Sequence, residues 1–164
     1  MPEPEDAPVA KKPLPQSILF CCDHNAVRSP MAEGIAKKLY GASAYLQSAG
    51  LHNDLEIDGF AIAVCDEIGV ELHRHRSRSF EDMGQNGDDL SSYDLIVALS
   101  PASHDRAREL TRAFHTDVEF WPITDPTATG QTREDKLAAY RRTRDQIAAQ
   151  ITRHWGGTLD PGQG

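Results

Sequence analysis

The sequence predicts an α/β protein: a three-layer α/β/α sandwich around a central parallel sheet of about four strands. Three observations carry that expectation. Short β-rich runs alternate with segments of helical period, which is the pattern of strand–helix–strand crossovers. Such crossovers are right-handed, so helices are expected on both faces of the sheet and ligands beyond the carboxyl ends of its strands. Finally, 164 residues with 39% hydrophobic content suit one domain with one buried core.

The elements follow in order. Residues Met1 to Gln16 hold five prolines among charged and small residues, too little apolar surface to offset the entropy of ordering, and are expected to be a disordered tail. Ser17–Cys22 (SILFCC) reads as the first strand. Pro30–Tyr40 reads as a helix, with Pro30 in its first turn, Ser29 as its cap, Met31, Ile35 and Leu39 on one face, and Gly41 as its stop. A second strand is expected over Ser43–Ser48. The next helix, Ile57–Ile68, turns Phe60, Ala61, Val64 and Ile68 inward and stops at Gly69. Leu95–Leu99 is the third strand, Ala102–Phe114 a helix and Val118–Ile123 extended. A long helix from about Thr132, its cap, to Trp155 carries Leu137, Tyr140, Ile147 and Ile151 on one stripe. Residues 156–164 are rich in Gly and Pro and read as a flexible end, so the folded domain is expected over residues 17–155.

Composition narrows the function. Seventeen basic residues against 25 acidic give a net charge of −8, which repels a nucleic-acid backbone and makes any affinity for phosphate a local matter. Three cysteines in a chain without an apolar leader-like run point to a reducing, cytoplasmic setting. Its apolar runs fall far short of the ~20 residues a membrane-spanning helix needs, so no membrane role is expected.

The chemistry concentrates where the first strand ends. Cys22 and Arg28 form a Cys-x5-Arg pair, a weak signal by itself, since three cysteines and twelve arginines in 164 residues yield about 0.2 such pairs by chance. Context strengthens it. Cys22, Asp23, His24, Asn25, Ala26, Val27, Arg28 and Ser29 leave an apolar strand and enter a helix, which aims backbone N–H groups and the positive helix end into one concave loop. That is a site for a dianion. The same field favours a thiolate at its centre, and a thiolate can displace an alcohol from phosphorus through a covalent intermediate. Arg28 supplies a planar two-pronged donor for phosphate oxygens, and Ser29 can donate to the Cys22 sulfur. No Gly-Lys-Ser/Thr sequence marks a nucleotide-binding loop, and no Cys/His spacing marks a metal site, so no cofactor or metal is expected. His24, His73 and His75 read as solvated or hydrogen-bonding histidines.

The run from Phe20 to Glu33, FCCDHNAVRSPMAE, resembles the signature loop of the low-molecular-weight protein tyrosine phosphatases. The likeness continues through Ser48-Ala49-Gly50, Gly69-Val70 with His75 and Arg78, Tyr93-Asp94-Leu95-Ile96 and Asp125-Pro126. The resemblance implies that Cys22 is the nucleophile, Arg28 the phosphate clamp and Asp125 the general acid that protonates the leaving oxygen. It implies that the loop residues 23–27 and Ser29 bind the phosphate, and that Asn25, Ser29, Ser48 and His75 support the loop. Asn at a strained loop position also makes independent sense, because it tolerates positive φ.

Several residues depart from that pattern. Val27 stands where many members have a second cysteine, and adjacent Cys21 and Cys22 seldom bridge. Asp23 puts a negative side chain beside the nucleophile, Ser100 occupies the place of a usual Asp, and Thr127-Ala128 stand where aromatics commonly line the cleft. The expected activity is therefore phosphomonoester hydrolysis, with a phosphotyrosine-containing protein or small aryl phosphate as partner. The rivals are an arsenate reductase, which needs resolving cysteines and has only Cys65 to offer, and a phosphate- or partner-binding module without turnover.

Overall fold

The computed structural model describes residues 11–159. Four strands, β1 (Ser17–Cys22), β2 (Tyr45–Gly50), β3 (Leu95–Ala98) and β4 (Asp117–Phe120), form one sheet in the order β2-β1-β3-β4 with every pairing parallel. Five helices connect and cover it: α1 (Arg28–Tyr40), α2 (Gly59–Asp66), α3 (Phe80–Gln85), α4 (Pro101–Leu110) and α5 (Arg133–Trp155). The three-layer expectation holds. The chain leaves β1 toward β2 on one side and returns to place β3 on the other, so the strand order reverses at β1. A crevice forms beyond the carboxyl ends of strands at such a switch point, and Cys22 is the last residue of β1.

Strand alternation builds the two interior layers. Ile18, Phe20 and Cys22 face one cluster, with Met31, Ile35, Val64, Tyr140, Ile147 and Ile151 from α1, α2 and α5. Leu19 and Cys21 face the other, with Met83, Tyr93, Ile96 and Ala107. Burying each large apolar side chain contributes about 1.5–3 kcal/mol, so both faces of β1 are held by packing.

Several boundaries and one whole helix differ from the sequence reading: β2 runs on to Gly50, β3 ends at Ala98, α4 spans Pro101–Leu110 and β4 spans Asp117–Phe120, and the remaining differences have local reasons. Helix α1 begins at Arg28, and Ser29 lies inside its first turn; Val27 precedes the helix without any side-chain cap. The second strand starts at Tyr45, because the N–H groups of Ser43 and Ala44 bond back to the Tyr40 carbonyl and finish α1. Helix α2 starts later than expected, capped by Asp58, whose side chain accepts from the N–H groups of Phe60 and Ala61. Helix α3 was not expected at all. Its capping box pairs Ser79 with Asp82, a signal the short, polar FEDMGQ run hides from periodicity. Helix α2 ends at Asp66 with Glu67 as its C-cap, and Gly69, expected as its stop, lies in the turn beyond at φ 74°; Thr132 does cap α5.

The expected tails at 1–16 and 156–164 lie partly outside the described residues. Within them, Leu14 and Leu159 pack against the core, and the Lys12 N–H bonds the His154 carbonyl at 2.8 Å. No helix among the described residues is long and apolar enough to cross a membrane.

Candidate active site

The loop between β1 and α1 takes its shape from one residue. Asn25 is the only described non-glycine residue with positive φ, at 53°, a region Asn tolerates better than most. It is fully buried, and every hydrogen-bonding position on its side chain is used. Its Nδ2 donates to Ser29 Oγ at 2.8 Å and to Ser48 Oγ at 2.9 Å. Its Oδ1 lies 3.0 Å from His75 Nε2 and accepts from the Arg78 N–H at 3.0 Å. Ser77 Oγ donates to its backbone carbonyl at 2.7 Å. Ser29, Ser48 and His75, the other three supports expected from the sequence, therefore meet at the Asn25 amide.

Three further residues complete this support and carried no assigned role in the sequence reading. Glu33 accepts from Ser48 Oγ at 2.5 Å, so Ser48 is oriented on both sides. Arg78 donates Nε to the Ser48 carbonyl and pairs with Asp88 at 3.0 Å. Gly50 lets the loop approach β2: a Cβ there would stand 2.7 Å from the Asn25 nitrogen and 2.9 Å from the His24 carbonyl carbon, closer than atoms pack.

Inside the loop, Cys22 Sγ lies 3.0 Å from Ser29 Oγ and 3.4 Å from the Ser29 N–H. Because Asn25 already uses the Ser29 oxygen as acceptor, the Ser29 proton is available to the sulfur or to the Ala49 carbonyl. Among the described residues, none of the N–H groups from Asp23 through Arg28 donates to a protein acceptor. An uncapped helix start with free donors is a dianion cradle.

Arg28 is buried and tied by Nη1 to the Ile123 carbonyl at 3.2 Å. Its Nη2 sits between two carboxylates, 3.4 Å from Asp23 Oδ2 and 3.8 Å from Asp125 Oδ2. Asp23 is held in turn by Ser100 Oγ, which donates to Oδ1 at 2.7 Å. Cys22, His24, Ala26, Val27, Arg28 and Asp125 line one cavity of about 290 Å³, with Leu55, Glu56, Asp58 and Thr127 forming the rest of its wall. Leu55, Glu56 and Asp58 were missed from sequence, because nothing in a loop pattern says which residues fold over a neighbouring site. Ala128, expected at the wall, is exposed and does not line this cavity.

A family model described as "Low molecular weight phosphotyrosine protein phosphatase" matches residues 17–160. The chain belongs to this family. Curated relatives include the arsenate reductases of Bacillus licheniformis and Bacillus subtilis, each 31% identical, aligned over 84% and 82% of this chain and 94% and 91% of theirs. Among solved structures, the tyrosine phosphatase AmsI of Erwinia amylovora superposes with a TM-score of 0.70 at 21% identity, covering 85% of this chain and 91% of that one. A structure described as an arsenate reductase in the phosphate binding state gives 0.67 at 25% identity, covering 83% and 93%. Proteins named for two different activities, tyrosine phosphatase and arsenate reductase, thus share this fold.

This member of the low-molecular-weight phosphatase family places its three thiols in different surroundings. Cys21 lies on the opposite face of β1 from Cys22, with its Sγ 3.7 Å from the Val97 carbonyl, and burial pushes its thiol far up. Cys65 is fully buried in α2, and burial pushes its thiol up to about 12. Among the described residues, Cys22 is the one cysteine that reaches the cavity. No group of three or more His, Cys, Asp or Glu is arranged to hold a metal among them.

Proposed function

We propose that this chain is a phosphomonoester hydrolase acting on aryl phosphates, with protein phosphotyrosine as the physiological class, through a cysteinyl-phosphate intermediate. The observation that carries the reading is Asp125, which shares a cavity with Cys22 and stands 3.8 Å from Arg28. A carboxyl group there can deliver a proton to the departing oxygen while Arg28 and the free loop amides hold the phosphate. Cys22 attacks phosphorus, the P–O bond to the alcohol breaks, and Asp125 gives its proton to that oxygen. Water then attacks the cysteinyl phosphate, Asp125 takes a proton from it, and the thiolate is restored. Ser29 donates to the sulfur in both steps.

Arsenate reduction is the second reading, favoured by the names of the curated relatives. A relay through a second cysteine of this chain is opposed by geometry, since Cys21 and Cys65 are both buried away from the cavity. Reduction would need an external thiol: it would attack the Cys22–arsenate adduct at sulfur, release arsenite and leave a mixed disulfide for a second thiol to resolve.

Both readings are tested together. Turnover of p-nitrophenyl phosphate is expected without added thiol, and Cys22→Ser should abolish it while preserving phosphate or vanadate binding. Asp125→Asn should slow poor leaving groups by at least an order of magnitude more than good ones, because protonation matters most for a basic departing oxygen. No phosphatase turnover, together with arsenite release that depends on glutathione or another small thiol, would replace the first reading by the second.

A further inference from the structure

The cavity around Cys22 does not end at Leu55 and Glu56. Those two residues also border a second, larger groove of about 710 Å³, whose far side carries Asn53, His73, Arg74 and Arg76. The segment that builds this side has a forced orientation. His75 and Ser77 turn inward to hold Asn25, so Arg74 and Arg76, one residue removed on the alternating backbone, are turned out and exposed. Among the described residues neither arginine makes an ion pair or a side-chain hydrogen bond. His73 is held by Asp66 at 3.0 Å. Two free guanidinium groups stand together on a chain of net charge −8, anchored through their neighbours to the phosphate loop itself.

We propose that this groove is a substrate subsite that takes the acidic side chains of a phosphopeptide whose phosphate sits in the Cys22 loop. The inference rests on the phosphatase reading above and names its substrate class. Guanidinium groups favour carboxylates through paired, charge-assisted hydrogen bonds, and an unpaired arginine has no internal partner to give up. A local positive patch on an acidic protein also steers acidic peptides toward this edge and repels them elsewhere. Glu56 stands on the boundary between the two cavities, so a carboxylate directly beside the phosphorylated residue is disfavoured there. The preferred acids lie further along the chain, which at about 3.3 Å per extended residue carries them past Glu56 into the groove.

The test reads binding apart from turnover. Fluorescence anisotropy on the Cys22→Ser chain compares a labelled phosphotyrosine peptide bearing Asp or Glu beyond its first neighbours with the same peptide carrying Asn or Gln. The acidic peptide is expected to bind about five- to tenfold more tightly at low salt, and the difference should shrink as salt screens the exposed pairs. Arg74→Gln with Arg76→Gln should erase that preference while leaving the neutral peptide's affinity unchanged. In the Cys22-intact chain, the same double variant should leave p-nitrophenyl phosphate turnover unchanged. Equal affinity for the two peptides, no binding of either, or a preference that survives the double variant would overturn the subsite. If the wild-type chain fails to hydrolyse p-nitrophenyl phosphate, the phosphatase reading falls by itself, and the binding preference still decides the groove.

Discussion

Asn25 illustrates how much one residue can fix. Its left-handed backbone is held by an amide with partners in α1, on β2 and in the segment from His75 to Arg78, so the shape of the loop depends on residues far away in sequence. The Cys22–Arg28 pair was legible because strand, loop and helix adjoin in the chain. Glu33, Arg78 and Asp58 were not, because their roles exist only after β2, α2 and the 75–78 segment come together. The role of Gly50 is equally spatial, and Gly50→Ala is expected to displace Asn25 and His24 and to cut turnover of any phosphoester at least a hundredfold. The circular dichroism spectrum should stay native; wild-type kinetics in that variant would show that the loop yields to a methyl group. His75 gives a second prediction. Burial holds it below the ordinary histidine range in the folded chain, so as the pH falls through that range the unfolded chain binds more protons at this site than the folded one. Stability then rises with pH across this window, and is lost as pH falls below about 6.5 toward the lowered folded value. His75→Gln keeps a donor for Asn25 without a titrating group, and its melting temperature should fall less than the wild type's between pH 7 and pH 5.5. Parallel curves would assign the acid lability elsewhere.

Among the elements, α2 was placed from periodicity but its start was not. Asp58 lies at the end of a loop, and periodicity reports which face is buried, not which carboxylate closes the first turn. The same limit hid α3, six residues long with one buried residue, Met83. Asp58 does more than cap. One oxygen accepts from the N–H groups of Phe60 and Ala61, at 2.8 and 3.4 Å, and the other accepts from Tyr140 Oη on α5 at 2.8 Å. It therefore joins α2 to α5 at the edge of the cavity. Removing an N-cap costs about 1 kcal/mol, and stranding a buried hydroxyl adds about 1–3 kcal/mol. Asp58→Ala is expected to lower stability by about 2–4 kcal/mol, a fall in melting temperature of roughly 5–15 °C for a chain of this size. Asp58→Asn should recover much of it, since an amide oxygen still caps. A loss below about 0.5 kcal/mol in the alanine variant would mean that water replaces both contacts.

At the scale of the whole molecule, one sheet separates two jobs. The face covered by α1, α2 and α5 carries Cys22 and its supports, while the face covered by α3 and α4 buries Cys21, so a chain with three thiols exposes one of them to the cavity. The parallel sheet with Cys22 at the carboxyl end of its first strand was expected from the alternation of elements, while the order β2-β1-β3-β4 that makes this a switch point was not. The cavity wall was expected only in part, Thr127 from the resemblance but not Leu55, because the wall is assembled from two loops more than seventy residues apart. Thr127 is fixed by Asp125, whose Oδ1 accepts from its N–H and hydroxyl at 3.1 and 2.9 Å. Leu55 is the apolar part, with 51% of its surface exposed beside the cavity. A phenyl ring above the loop would cover much of that surface, and about 40–50 Å² of apolar burial is worth about 1 kcal/mol. Because this contact acts on the ring and not on the phosphate, it should raise kcat/KM for aryl phosphates and leave small alkyl phosphates unaffected. Leu55→Ala is therefore expected to reduce the aryl-to-alkyl ratio of kcat/KM about fivefold, and Thr127→Tyr to raise it by adding a ring where the threonine now stands. The ratio is the deciding readout, since a general loosening of the site would lower both substrates together and leave it constant.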